Sequence, residues 1–177
     1  MVKSKMLCLT SLAAAALLAL PAQAMVTAFV TNLSSAGETP STSTATGMAL
    51  VSFDDVAQSI GVALIFQGLA NGSPFGHIHC CTASAGAGNA GVALQFATLP
   101  QSSYGSYNDT FTPVNFTTIL SGALAGQAYV NIHTPGTYGG GEIRGFLRAV
   151  AVPEPGSLAL FGAGLALLGW VGRRRAL

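Results

Sequence analysis

Every histidine of the chain lies in one of two short segments: Phe75-Gly76-His77-Ile78-His79-Cys80-Cys81 and Asn131-Ile132-His133-Thr134. In an extended segment, side chains alternate between faces with a period of two. His77 and His79 therefore share a face, and Ile78 points the other way, toward a core. His133 also follows an isoleucine, in a run (Ala128-Tyr129-Val130-Asn131-Ile132) that reads as a second strand. If these strands pair or face each other, three imidazoles converge. Neutral imidazole is the commonest metal ligand, and three of them suit Zn²⁺ or Cu²⁺. Glu142 is the candidate fourth ligand, or the partner that orients one of the rings. The alternative is structural: the rings hydrogen-bond across strands to Glu142, Thr134 or backbone carbonyls, as buried imidazoles must. In that reading Glu142 and Arg144 alternate onto one face and pair there.

Cys80 and Cys81 are the cysteines left once the N-terminal segment, with Cys8, is removed. Adjacent strand residues point to opposite faces, so both cannot serve one metal without a bend. An oxidising compartment permits a vicinal disulfide that ends the histidine strand and braces the loop after it. Intermolecular disulfides, or a cysteine nucleophile beside a histidine, are the other readings; the vicinal disulfide is preferred. No other motif supports catalysis, and the chain is read as non-enzymatic.

These residues need a scaffold. The 177-residue chain is 50% hydrophobic and only 7% charged, with a mean hydropathy of +0.55. Much of the apolar excess sits at the ends. Lys3 and Lys5 precede an apolar run from Met6 to Leu20, then Pro21-Ala22-Gln23-Ala24. That order reads as a signal peptide over residues 1–24, a helix cleaved after Ala24. At the other end, Val152-Pro153-Glu154-Pro155 leads into an apolar run from Gly156 to Val171, closed by Arg173, Arg174 and Arg175. It is expected to form a transmembrane helix with its arginines kept on the cytoplasmic side. The remainder, residues 25–151, is of single-domain size. Five acidic residues (Glu38, Asp54, Asp55, Asp109, Glu142) against Arg144 and Arg148 give it a net charge of −3, which argues against nucleic acid as a partner.

Within that domain, strands are expected over 26–33, 47–53, 60–69, 75–80, 92–96, 127–133 and 142–150. A short helix is expected over 117–125. Ser34–Thr46 and Thr82–Ala90 read as loops, Gln101–Asn115 as a long loop with a strand near Thr110, and Tyr138–Gly141 as a turn or bulge. Short strands with frequent turn signals predict an all-β, antiparallel β-sandwich or barrel-like domain. Tyr104, Tyr107 and Tyr138 fall in loops, where aromatics stack on sugars, anchor protein contacts, or close over the core.

The C-terminal block, residues 152–177, resembles the PEP-CTERM sorting signal of Gram-negative bacteria: Pro-Glu-Pro, an apolar segment and a terminal arginine cluster. The resemblance implies an exported protein handled by signal peptidase and an exosortase-type enzyme. It implies a transient tether at the inner membrane, and a destination at the cell surface or in an exopolysaccharide matrix, where polysaccharide or surface protein would be the partner. A second resemblance spans nearly all of the domain. Leu33 to Pro40, Thr46-Gly47-Met48-Ala49, Gly76-His77-Ile78-His79, Tyr129 to Thr134 and Gly140-Gly141-Glu142-Ile143-Arg144-Gly145 are similar to the CHRD domain. Cys80-Cys81 departs from it, since many members carry Gly-Pro there. The resemblance implies a fold and brings no activity. Phe75 to His79 also resembles the copper-binding strand of Cu/Zn superoxide dismutases. The rest of that pattern, a further histidine cluster and a bridging ligand, is missing, so dismutase chemistry is not expected.

Overall fold

In a computed structural model, residues 26–38, 41–72, 74–150 and 157–175 are described. The expected signal peptide and Val152 to Pro155 lie outside them. Among the described residues nine strands form: β1 (Val26–Ser34), β2 (Thr46–Asp54), β3 (Ser59–Gln67), β4 (Phe75–His79), β5 (Val92–Gln95), β6 (Gly105–Phe111), β7 (Tyr129–Thr134), β8 (Tyr138–Phe146) and β9 (Arg148–Ala149). Two helices accompany them, α1 (Phe116–Leu124) and α2 (Ser157–Arg175). The strands make one antiparallel sheet in the order β5-β4-β7-β8-β1-β2-β3-β6, and β9 pairs with β1. The architecture is a half-barrel, which corrects the two-sheet sandwich alternative.

Alternation decides which face is buried. Phe29, Leu33, Ala49, Val51, Phe53, Ile60, Val62, Leu64 and Phe66 fall at every second position of β1–β3 and are buried on the concave face. Ile78, Val130, Ile132 and Ile143 continue that face across β4, β7 and β8. Helix α1 plugs the trough with Phe116, Ile119 and Ala123. It ends with Gln127 N–H donating to Gly122 O (2.7 Å) and Gly126 N–H to Ala123 O (3.0 Å), the paired bonds that close a helix on a left-handed residue. Gly126 takes that conformation at φ +69. Side chains bring the two sheet edges together: Phe96, just after β5, stacks on Tyr107 and Phe111 of β6, and Asn115 Nδ2 donates to Ala93 O.

Four expectations change. Gly105–Phe111 is a full strand rather than part of a loop, because it completes its backbone pairing along β3. Tyr138–Gly141 belongs to β8. The final expected strand breaks at Leu147, whose N–H turns to Ala128 O and starts β9 on β1. The expected transmembrane helix forms as α2, yet no helix among the described residues is long and apolar enough to cross a membrane. At about 1.5 Å of rise per residue, the part of α2 before its three arginines falls short of a roughly 30 Å hydrocarbon core.

Candidate metal centre

The β4–β7–β8 ladder decides which side chains meet. Phe75 pairs with His133, His77 with Asn131 and His79 with Tyr129; Asn131 and Tyr129 then face Arg144 and Phe146 of β8. These residues occupy the convex face, opposite the apolar core. It is covered nonetheless, and His77, His79 and His133 are each buried. The lid is the segment after β4. Ala90 accepts from His79, Tyr129 Oη accepts from Ala90 N–H, and Arg144 donates to Asn89 Oδ1 and Gly88 O. Glu38, beyond the short turn at Ser35–Gly37, pairs with Arg144 at 3.5 Å.

One ligand-capable nitrogen from each of His77, His79 and His133 lies within 4.8 Å of the other two. Their outward nitrogens are already engaged. His79 Nδ1 lies 2.9 Å from Ala90 O, His133 Nδ1 3.0 Å from Gly139 O and His77 Nε2 2.6 Å from Gln95 Oε1. A carbonyl oxygen only accepts, so each of these nitrogens carries the proton. Gln95 is oriented by its own Nε2, which donates to Phe96 O (3.1 Å) and Gly76 O (3.4 Å). The remaining lone pairs, on His77 Nδ1, His79 Nε2 and His133 Nε2, face one another. His77 Nδ1 and His133 Nε2 are 3.1 Å apart, and His79 Nε2 is buried with no hydrogen-bond partner. Two facing acceptors repel unless a proton or a cation lies between them.

Protonation is disfavoured there. Burial lowers the pKa of His77, against the Gln95 hydrogen bond. Burial lowers that of His79, against the Ala90 bond and with help from His77 and Arg144. Burial takes His133 down to about 4, against the Gly139 bond and with help from the other two rings. The rings are therefore neutral near pH 7, as metal ligation requires. With Zn–N bonds of about 2.0–2.1 Å, ligand nitrogens of a tetrahedral site sit roughly 3.3 Å apart, close to the His77–His133 separation. The three nitrogens lie within 4.8 Å of one another, wider than that edge at its limit, so a bound cation would need the rings to move inward. Stacked rings wall the site: Phe75 on His133 at 4.8 Å and Tyr129 on His79 at 4.8 Å, with Arg144 over Tyr129.

Glu142 does not join this group, which corrects its expected role. It is fully buried, but Oε1 accepts from Ser43 Oγ (2.6 Å) and Ala70 N–H (2.9 Å), and Oε2 from Thr134 Oγ1 (2.6 Å). Nor does it pair with Arg144. The β7–β8 register slips between Ile132 and Thr134, so simple alternation from Arg144 fails to place it. Its carboxylate instead clamps the segments before β2 and after β3 to β7. Cys80 and Cys81 form the vicinal disulfide. It follows β4 directly and rests on α1 at Gly122, where an added Cβ would collide with both sulfurs. Of the loop aromatics, Tyr104 is exposed, whereas Tyr107 closes the sheet edges and Tyr138 Oη meets Thr42 Oγ1. Gln95 escaped the sequence reading, since only the β4–β5 pairing brings it to His77.

The family model of the CHRD domain matches residues 29–147. The chain is a member of the CHRD family. The PEP-CTERM protein-sorting motif matches residues 151–175 and implies an exported protein processed by an exosortase. No curated protein and no solved structure matches the chain. Within the CHRD domain, the histidine strands β4 and β7 and the following β8 carry the buried convex face just described.

Proposed function

We propose that the CHRD domain is a non-catalytic module that binds a transition metal, zinc or copper, through His77, His79 and His133. The sorting motif delivers it to the cell surface or surrounding matrix, by way of a transient tether of α2 and its arginines at the inner membrane. The observation that carries the reading is the inward convergence of three lone pairs, one of them on a buried atom without a partner. A cation bound there joins β4 to β7 and relieves the contact between His77 and His133. Exposed Tyr104 offers a stacking surface for matrix polysaccharide or a surface protein.

A structural role for the histidines is the second reading. It is favoured by the outward hydrogen bond that each ring already makes and by the stacking of Phe75 and Tyr129. The two are separated by metal content. The full chain is exported to the periplasm without a histidine tag, and its metals are quantified beside His77→Ala and His133→Ala. Near-stoichiometric zinc or copper, lost in both variants, is the expected result. A metal-free wild type, with both variants folded but less stable, would assign the trio to the fold alone.

A further inference from the structure

Four buried side-chain polar atoms among the described residues lack a hydrogen-bond partner: Glu38 Oε1, Arg144 Nε, His79 Nε2 and Asn131 Oδ1. The first two face each other in the ion pair at 3.5 Å. That leaves His79 Nε2 and Asn131 Oδ1, which belong to the same covered face. Asn131 is the cross-strand partner of His77, and it sits between Tyr129 and His133 along β7. Directly opposed residues have Cβ atoms about 4.5–5.5 Å apart, within reach of a shared ligand. Asn131 is 2% exposed, so bulk solvent does not reach its carbonyl. An unpaired buried acceptor is costly, by about 1–3 kcal/mol.

The orientation of the amide is fixed from the other side. The Asn131 amide nitrogen lies beside the Glu38 carboxylate and favours its charged form. A Cβ placed on Gly141 would lie 2.6 Å from Glu38 Cδ and 2.7 Å from Asn131 Nδ2, so both groups crowd the same spot on the β8 side. A carboxylate accepts only, so the NH₂ end of the amide faces Glu38. The carbonyl end is thereby turned away from Glu38 and toward the β4 side, where His77 stands.

We propose that Asn131 Oδ1 is the fourth ligand of the cation held by His77, His79 and His133. This rests on the metal-binding reading above and deepens it: one cation satisfies both orphaned atoms. The donor set becomes three imidazole nitrogens and one amide oxygen, all neutral and all from protein. Zinc sites with four protein ligands are closed and structural, whereas catalytic sites keep a position for water. Glu38, itself anchored by Arg144, is the positioning residue that presents the oxygen.

The test uses the full chain loaded with zinc or with Co²⁺ as a spectroscopic substitute. Asn131→Leu, of similar size, is expected to weaken zinc binding at least about tenfold, the lower bound seen for losing even an outer-shell group. The visible spectrum of the wild-type Co²⁺ form is expected to stay constant from about pH 6 to about pH 9. A metal-bound water would ionise near about pH 7 and shift that spectrum. A folded Asn131→Leu with wild-type zinc affinity, or a spectrum that titrates, would overturn the fourth ligand while leaving the histidine trio intact. If Asn131→Leu does not fold, the wild-type spectrum alone decides. A wild type that takes up no metal, with His77→Ala no different, would remove both readings together.

Discussion

His133 carries the largest consequence at the scale of a single residue. Burial holds its pKa at about 4, below the usual value of 6.5, and His77 and His79 are lowered in the same direction. The unfolded chain therefore binds protons that the folded chain refuses between those two values. Stability contributed by the neutral rings is present above about pH 6.5 and is lost as pH falls through about 4. In chelator, the melting temperature is expected to fall steadily across that window. His133→Gln is expected to flatten the slope. A melting temperature independent of pH between about 6.5 and 4 would contradict the burial of these rings. Zinc competes with the proton for the same lone pairs, so added metal should move the loss to lower pH.

Among the elements, the contact of the disulfide with α1 gives the sharpest test. Glycine inside a helix costs roughly 1 kcal/mol relative to alanine, so Gly122→Ala ought to stabilise on propensity alone. An added Cβ would meet the sulfurs of Cys80 and Cys81, and overpacking costs about 1–3 kcal/mol. Gly122→Ala is therefore expected to destabilise the oxidised protein by about 1 kcal/mol. With Cys80→Ala and Cys81→Ala in place, the sign should reverse, because the obstacle is gone. Urea unfolding of the four proteins, read as a double-mutant cycle, measures it.

The elements also show what was legible beforehand. Strands β1–β3 declared themselves, because their apolar residues recur at every second position and one face is solvated. Strand β6 did not: Gly105-Ser106-Tyr107-Asn108-Asp109-Thr110-Phe111 is mostly polar, and its pairing with β3 comes from tertiary context. The histidine trio was legible because His-x-His needs only strand alternation. Glu142 was misplaced because a register slip leaves no mark in residue types. Asn131 was legible in principle, two residues before His133, but its burial and the grip of Glu38 were not.

For the whole molecule, closure of the sheet is the point to probe. Phe96 is 3% exposed and spans the gap between the two edge strands by stacking on Tyr107 and Phe111. Its contacts join parts of the chain that share no backbone ladder. Phe96→Ala is expected to cost about 3–5 kcal/mol, as for other buried aromatics. Met48→Ala on the solvent face of β2 should change stability by less than about 0.5 kcal/mol. Denaturant midpoints at a fixed slope report both. Equal effects would mean that the trough is not the principal core.

Strand β9 meets β1 through Arg148 and Ala149, Val150 N–H donates to Ala28 O (2.8 Å) directly after it, and the sorting motif begins at residue 151. If that tail is held at a membrane, as proposed above, tension on the exported domain would enter through this short ladder. Arg148 and Ala149 are exposed, so β9 can peel away without opening the trough. Under such load β9 would act as a mechanical fuse, yielding before β8 and the histidine face.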